Sequence, residues 1–203
     1  RLMAGSLGTL GVLLDVSLKV LPRAETETTL QLSATAAEAL DKIHSLSQSP
    51  LPITASSYHD SCLNIRLSGS GDAVKTAADV IGGETMPDAE SYWHKLKEHQ
   101  LAFFDNQLPL WRLSLASDTA PDLAGMDDNC KVLYEWGGAL RWVTGVTDSE
   151  SLRNSTADAG GHATLFRNTT DIAATQGIFQ ALSPGLLRIH RNLKQAFDPN
   201  NIL

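Results

Sequence analysis

The chain has 203 residues, 42% apolar and 19% charged, and its 23 acids against 16 bases leave a net charge of −7 at pH 7. This is a globular composition, long enough for a sizeable core, and its acidic balance argues against nucleic acid or an anionic membrane as main partner, since phosphate binding needs a basic surface. No apolar run approaches the ~18 residues of a spanning helix, and the two cysteines, Cys62 and Cys130, fit a reducing, cytoplasmic compartment and fall short of the about four thiolates of an iron–sulfur cluster.

Taken in chain order, residues 12–20 (VLLDVSLKV) alternate strictly, with Leu14, Val16, Leu18 and Val20 facing one way and Asp15, Ser17 and Lys19 the other. Period two predicts a strand with one buried face. Pro22 ends it, and the polar residues 23–27 read as a linker and domain boundary. A short strand over 29–33 follows, then a helix opened by the capping-box spacing of Thr35 and Glu38 and striped by Ala36, Ala39, Leu40, Ile43 and Leu46. Residues 53–58 and 62–67 read as paired strands, and Ala73, Val74, Ala77 and Ile81 form the next helical face. The order is β-α-β-β-α.

Asp88 then caps a longer helix striped by Tyr92, Trp93, Leu96 and Phe103, after which the earlier order restarts. Trp111, Leu113 and Leu115 alternate in a strand, and residues 118–128 are rich in Pro, Asp and Gly, with room for a short helix. Residues 131–136 and 139–145 read as strands joined by a two-residue turn at Gly137 and Gly138, where glycine accepts positive φ freely. Thr147 and Glu150 have capping-box spacing for a helix to about residue 157, and 161–167 is a last strand. Ser183 and Pro184 start a final helix expected to bury Leu186, Ile189, Leu193 and Phe197. Two such passes predict an α+β fold: a mostly antiparallel sheet with helices on one face, built from two ferredoxin-like halves.

The opening run carries Gly5, Gly8 and Gly11 ahead of the predicted strand, so it is not a Rossmann fingerprint, whose glycines lead from a strand into a helix. Its alternative readings are a tight turn or a backbone that approaches a phosphate or ring edge closely. The six histidines show no ligand spacing, which predicts no metal.

The segment GSLGTLGVLLDVSLKVLP resembles the run that closes the FAD-binding domain of the vanillyl-alcohol-oxidase-type flavoproteins, and FDPNNIL is similar to the run that ends many of them. RLMAGSLG and GGHATLFR resemble, more narrowly, the FAD-binding subunits of bacterial glycolate oxidases. The resemblance implies that residues 1–22 are the last loop and strand of an FAD domain, with Gly5, Ser6, Gly8, Thr9, Leu10, Gly11 and Val12 as cofactor contacts. Residues 23–203 would be the substrate-side cap domain. It further implies a longer polypeptide that holds FAD, an isolated piece without turnover, and a 2-hydroxy acid as substrate. The implied partners are an FAD subunit and an iron–sulfur subunit, with peripheral contact at the inner membrane through them. The first residue, an Arg rather than an initiator Met, likewise predicts a piece of a larger protein.

Oxidising a 2-hydroxy acid requires a cation for the carboxylate and a proton acceptor for the hydroxyl. An Arg fork matches a carboxylate, and Arg66, Arg112, Arg141 and Arg167 lie on predicted strands. Arg141 is the first choice because it stands among Tyr134, Glu135, Trp136 and Trp142; the alternative is a solvent-facing strand Arg. His162 is the candidate base and Tyr134 a hydrogen-bonding partner, against plain loop and core roles. The non-enzymatic alternative is an α+β interaction or ligand-binding module that docks partner subunits.

Overall fold

Alternating apolar residues, broken by capped helices, produce the elements in the computed structural model, which describes residues 2–20, 22–168 and 172–203. Two units result, one of residues 23–180 and one of residues 1–22 with 181–203, so the terminal helix groups with the N-terminal segment. No helix among the described residues is long and apolar enough to cross a membrane.

Residues 23–180 contain β1 (Thr26–Ser33), α1 (Ala36–Ser47), β2 (Ile53–His59), β3 (Cys62–Gly69), α2 (Gly71–Ile81), β4 (Glu84–Thr85) and α3 (Ala89–Lys97). There follow β5 (Leu110–Ser114), β6 (Lys131–Glu135), β7 (Leu140–Thr144), α4 (Ser149–Asp158), β8 (His162–Arg167) and α5 (Ile172–Gln176). The strands form one eight-stranded sheet in the order β4-β1-β3-β2-β6-β7-β5-β8, with every neighbouring pair antiparallel. The first four strands and the last four have the same ferredoxin-like order about a central join, so the fold is α+β with two such halves. The join is narrow: β2 meets β6 only at Ser57↔Glu135 and Tyr58↔Tyr134.

Cross-strand pairing fixes the two faces. Leu32, Leu63, Tyr58, Tyr134, Arg141, Leu113 and Ala163 follow one another in register across the sheet. On this face α1 and α2 bury Ala39, Leu40, Ile43, Val74, Ala77 and Ile81, and α4 buries Leu152 against Leu113 and Ala163. Each such Leu or Ile side chain contributes about 1.5–3 kcal/mol by leaving water. A second layer lies on the other face: Leu96 of α3 and Phe103 and Phe104 of a 3-10 turn (Ala102–Phe104) pack on Leu110, Leu133, Leu140 and Trp142.

Several local readings of the sequence change. The helix from Ala89 stops at Lys97 because His99 takes φ 55°, the left-handed conformation that caps a helix, and Phe103 sits in the separate 3-10 turn. No helix forms over 118–128, and the short α5 lacked a periodicity long enough to notice. The β6–β7 connection spans the four residues between Glu135 and Leu140, not two. Trp136, Gly137 and Gly138 all take positive φ there, and a Cβ on Gly138 would stand 2.5 Å from Leu40 Cδ2, so the turn packs on α1 only with glycine. The first helix has the predicted capping box, Thr35 with Glu38. The cap of α4 is Asp148, whose carboxylate accepts from Ser151 N at 3.0 Å, while Thr147 donates to Asp127 instead.

In the other unit, residues 12–20 form no strand: alternation defines two faces, but a strand exists only by pairing, and no backbone among the described residues pairs with this segment. Leu14 and Leu18 are accordingly 89% and 79% exposed. Helix α6 (Pro184–Phe197) forms as predicted, yet Leu186, Ile189 and Phe197 are exposed and Leu193 is half-buried. Past α6 the buried Asp198 accepts from Lys194 Nζ at 2.5 Å and from the amides of Ile202 and Leu203, which folds the FDPNNIL segment into a compact turn. These donors hold its carboxyl down to about 2. Arg1 lies outside the described residues.

Candidate functional site

Beyond their two shared residue pairs, β2 and β6 separate. A bulge between Ile53 and Ala55 bends β2, and Ser56 Oγ accepts from Gly137 N at 3.0 Å, which pins the β6–β7 turn to it. The gap opens a cavity of about 840 Å³. Leu46, Leu51 and Ile53 line it from α1 and β2, and Trp93, Trp136 and Trp142 supply aromatic wall. Its ionisable groups are Arg66, Lys97, His99, Arg112 and Glu135, and Ser47, Ser49, Thr54 and Ser56 add hydroxyls.

The two arginines differ in how far they are engaged. Arg66 donates from Nε to Thr54 Oγ1 at 3.1 Å, lies 4.0 Å from the Glu27 carboxylate and covers the Trp93 ring. Arg112 rises from β5 between Trp142 and Thr164, with its guanidinium 5.9 Å from the centre of the Trp136 ring. Among the described residues nothing accepts a hydrogen bond from its fork. A planar fork steadied on an indole, with its donors open, suits two carboxylate oxygens.

Glu135 projects from β6 on the same face as Arg112, and its Oε1 accepts from Trp142 Nε1 at 2.6 Å. Burial pushes its carboxyl above the ordinary value, while the Trp142 bond and the Arg112 charge pull it partly back. His99 stacks on Phe104 at 4.2 Å and meets Trp142 edge-on at 4.6 Å. Burial, and then the charge of Arg167, hold its imidazole below the usual range, so it is neutral at pH 7. The cavity thus joins an open cation, a carboxyl biased toward taking a proton, and a large apolar wall.

The predicted site residues are not gathered there. Arg141 is 0% exposed and donates to four main-chain carbonyls, those of Gly138 (3.2 Å), Ala120 (2.6 Å), Pro121 (3.3 Å) and Thr119. Its fork is engaged in structure by those carbonyls, whereas nothing among the described residues accepts from that of Arg112. Tyr134 lies beneath it, 5.2 Å from the guanidinium carbon to the ring centre, with its hydroxyl on Pro121 O at 3.5 Å. His162 opens β8 opposite Ser114 and so belongs to the other face of the sheet from Arg141 and Tyr134. Glu135 and Arg112 share one face and Tyr134 and Arg141 the opposite one, a parity visible in the alternation of β6 and β7 once the pairing is known.

In the other unit, Ser6 N donates to Met3 O at 3.2 Å and Thr9 N to Ser6 O at 3.0 Å, forming two successive turns. Gly5 and Gly8 take φ 82° and 81° there, and a Cβ on either would meet nothing within 4 Å. Their surroundings are open, and Ser6, Thr9 and Leu10 keep the run largely main chain and small or hydroxyl-bearing in character.

The chain is 42% identical, over 201 residues and 98% of its length, to glycolate oxidase subunit GlcE of Escherichia coli (strain K12), and it spans 53% of that protein's length. No protein-family model matches the chain.

Proposed function

We propose that this chain is part of an FAD-linked glycolate oxidase subunit, an oxidoreductase acting on the CH–OH group of a 2-hydroxy acid. The observation that carries the reading is the juxtaposition of an open guanidinium, Arg112, with a carboxyl raised by burial, Glu135, in one cavity. Arg112 binds the substrate carboxylate and orients the adjacent carbinol carbon. Glu135, deprotonated, accepts the hydroxyl proton as the carbonyl forms, and the indole and aliphatic walls exclude water.

The turns through Gly5, Ser6, Gly8 and Thr9, with Leu10, Gly11 and Val12 after them, fit the polar edge of a dinucleotide, because main-chain amides and hydroxyls are the donors such an edge takes. Bound flavin would supply the acceptor for the hydrogen on the carbinol carbon together with its electron pair, leaving a 2-oxo acid. The partners of this reading are an FAD subunit and an iron–sulfur subunit, which would take the electrons on in a cytoplasmic assembly. A second reading, a non-catalytic module that docks partners, rests on exposed Leu186, Ile189 and Phe197 of α6.

The test is a flavin titration of the full subunit, followed by addition of glycolate under anaerobic conditions. The reading expects FAD to bind, glycolate to bleach its visible band, and Arg112→Met to lower kcat/KM by about a hundredfold. The wild-type rate should rise with pH through the titration of Glu135 above the ordinary carboxylate range, and Glu135→Gln should lose that limb. A full subunit that ignores FAD leaves the docking-module reading in its place.

A further inference from the structure

We infer that the cavity selects 2-hydroxy acids bearing an apolar side chain, with Leu46, Leu51 and Ile53 as the specificity wall. The inference rests on the head-group reading of Arg112 and Glu135 and extends it to the rest of the substrate. Size is the first ground. The cavity holds about 840 Å³, within the roughly 300–1,000 Å³ that suits a drug-sized ligand. An acid of about five non-hydrogen atoms fills only about a fifth of that space, at roughly the volume of one water per atom.

The second ground is arrangement. Arg112 stands on β5, and the sheet order places β7 and β6 between it and β2. Three strand spacings set the two backbones roughly 14 Å apart, so a two-carbon acid held by the guanidinium leaves the Ile53 end of the cavity uncovered. At the β2 end of the cavity Arg66 has its Nε on Thr54 and 4.0 Å from the Glu27 carboxylate. That end also offers aliphatic surface: Leu46, Leu51 and Ile53 pack on the core below yet remain only half-buried. Apolar surface left uncovered inside a concave site gains most from an apolar ligand group.

The experiment titrates the full subunit with glycolate, lactate, 2-hydroxybutyrate, 2-hydroxyhexanoate and 2-hydroxyoctanoate, followed by tryptophan fluorescence, since Trp93, Trp136 and Trp142 line the cavity. 2-Hydroxyoctanoate should bind more tightly than glycolate, by about fourfold for each methylene that reaches the apolar wall, the fold-change for burying one such group. Leu51→Trp, which fills the apolar end, should flatten that slope, with circular dichroism confirming that the variant is folded. Equal affinity along the series overturns the inference while the head-group reading stands. A rising slope that Arg112→Met leaves intact for every acid overturns the head-group reading and the inference with it.

Discussion

In the first half of the sheet Leu63 stands across from Tyr58 among the side chains of α1 and α2; in the second, Arg141 stands across from Tyr134 beneath residues 119–121. The two positions match in strand order and in burial, both at 0% exposure. Even the tyrosines behave alike, Tyr58 donating to Ala34 O and Tyr134 to Pro121 O. What differs is the layer above. A helix satisfies its own carbonyls and asks only for apolar contact, so Leu suffices. An irregular segment brings carbonyls that need donors, and the five N–H groups of one guanidinium provide them. Desolvating that cation is costly, and its four acceptors together with the Tyr134 ring offset the cost. The residue under a sheet's cover is therefore chosen by the cover, not by the strand.

The sharpest way to break this comparison is Arg141→Met, which keeps bulk and removes every donor; it should cost about 4 kcal/mol in urea unfolding, because buried carbonyls lose their partners. Arg141→Lys should recover less than half of that loss, since a point charge cannot reach the same spread of acceptors. Leu63→Ala should cost about 3 kcal/mol by loss of transfer energy and by cavity formation, with no such rescue by a polar isostere. Tyr58→Phe should cost about 1 kcal/mol, and Tyr134→Phe less, because its bond to Pro121 O is 3.5 Å long. At the small end, Thr35→Ala removes the cap of α1 for about 1 kcal/mol.

Acid titration extends the comparison to both halves. Glu38 in the first is held below its usual value by the Thr35 amide and hydroxyl, and Asp148 in the second by the hydroxyl and amide of Ser151. A carboxyl depressed in the folded state stabilises it above its unfolded value and loses that contribution as pH falls through the folded one. Both helices should therefore weaken below about pH 4, and a Thr35→Ala deficit measured at pH 7 should shrink in acid.

Much of this was legible in local residues. The capping box at Thr35 and Glu38, the alternation of β3 and β5 and the Ser183–Pro184 start of α6 all carry their own instructions over a few positions. The second capping-box spacing misled by one residue because Asp148 is the stronger cap and Thr147 found Asp127. The strand over 12–20 failed for a different reason: alternation is local and pairing is not. The site followed the same division. The cluster around Glu135, Trp136 and Trp142 stood out by composition, but which of Arg112 and Arg141 keeps an open fork depends on which face lies beneath residues 119–121.

The join between the halves has a consequence for motion. Two residue pairs make a short ladder between the two four-stranded halves, which otherwise meet through side chains such as Tyr58 on Tyr134 and Leu40 on the β6–β7 turn. The line along β2 and β6 is therefore where few main-chain bonds hold the sheet, and local opening should start there. The cavity lies on that line, so a ligand in it acts as a rivet: it braces the two halves and should slow amide exchange at Ser57 and Tyr134.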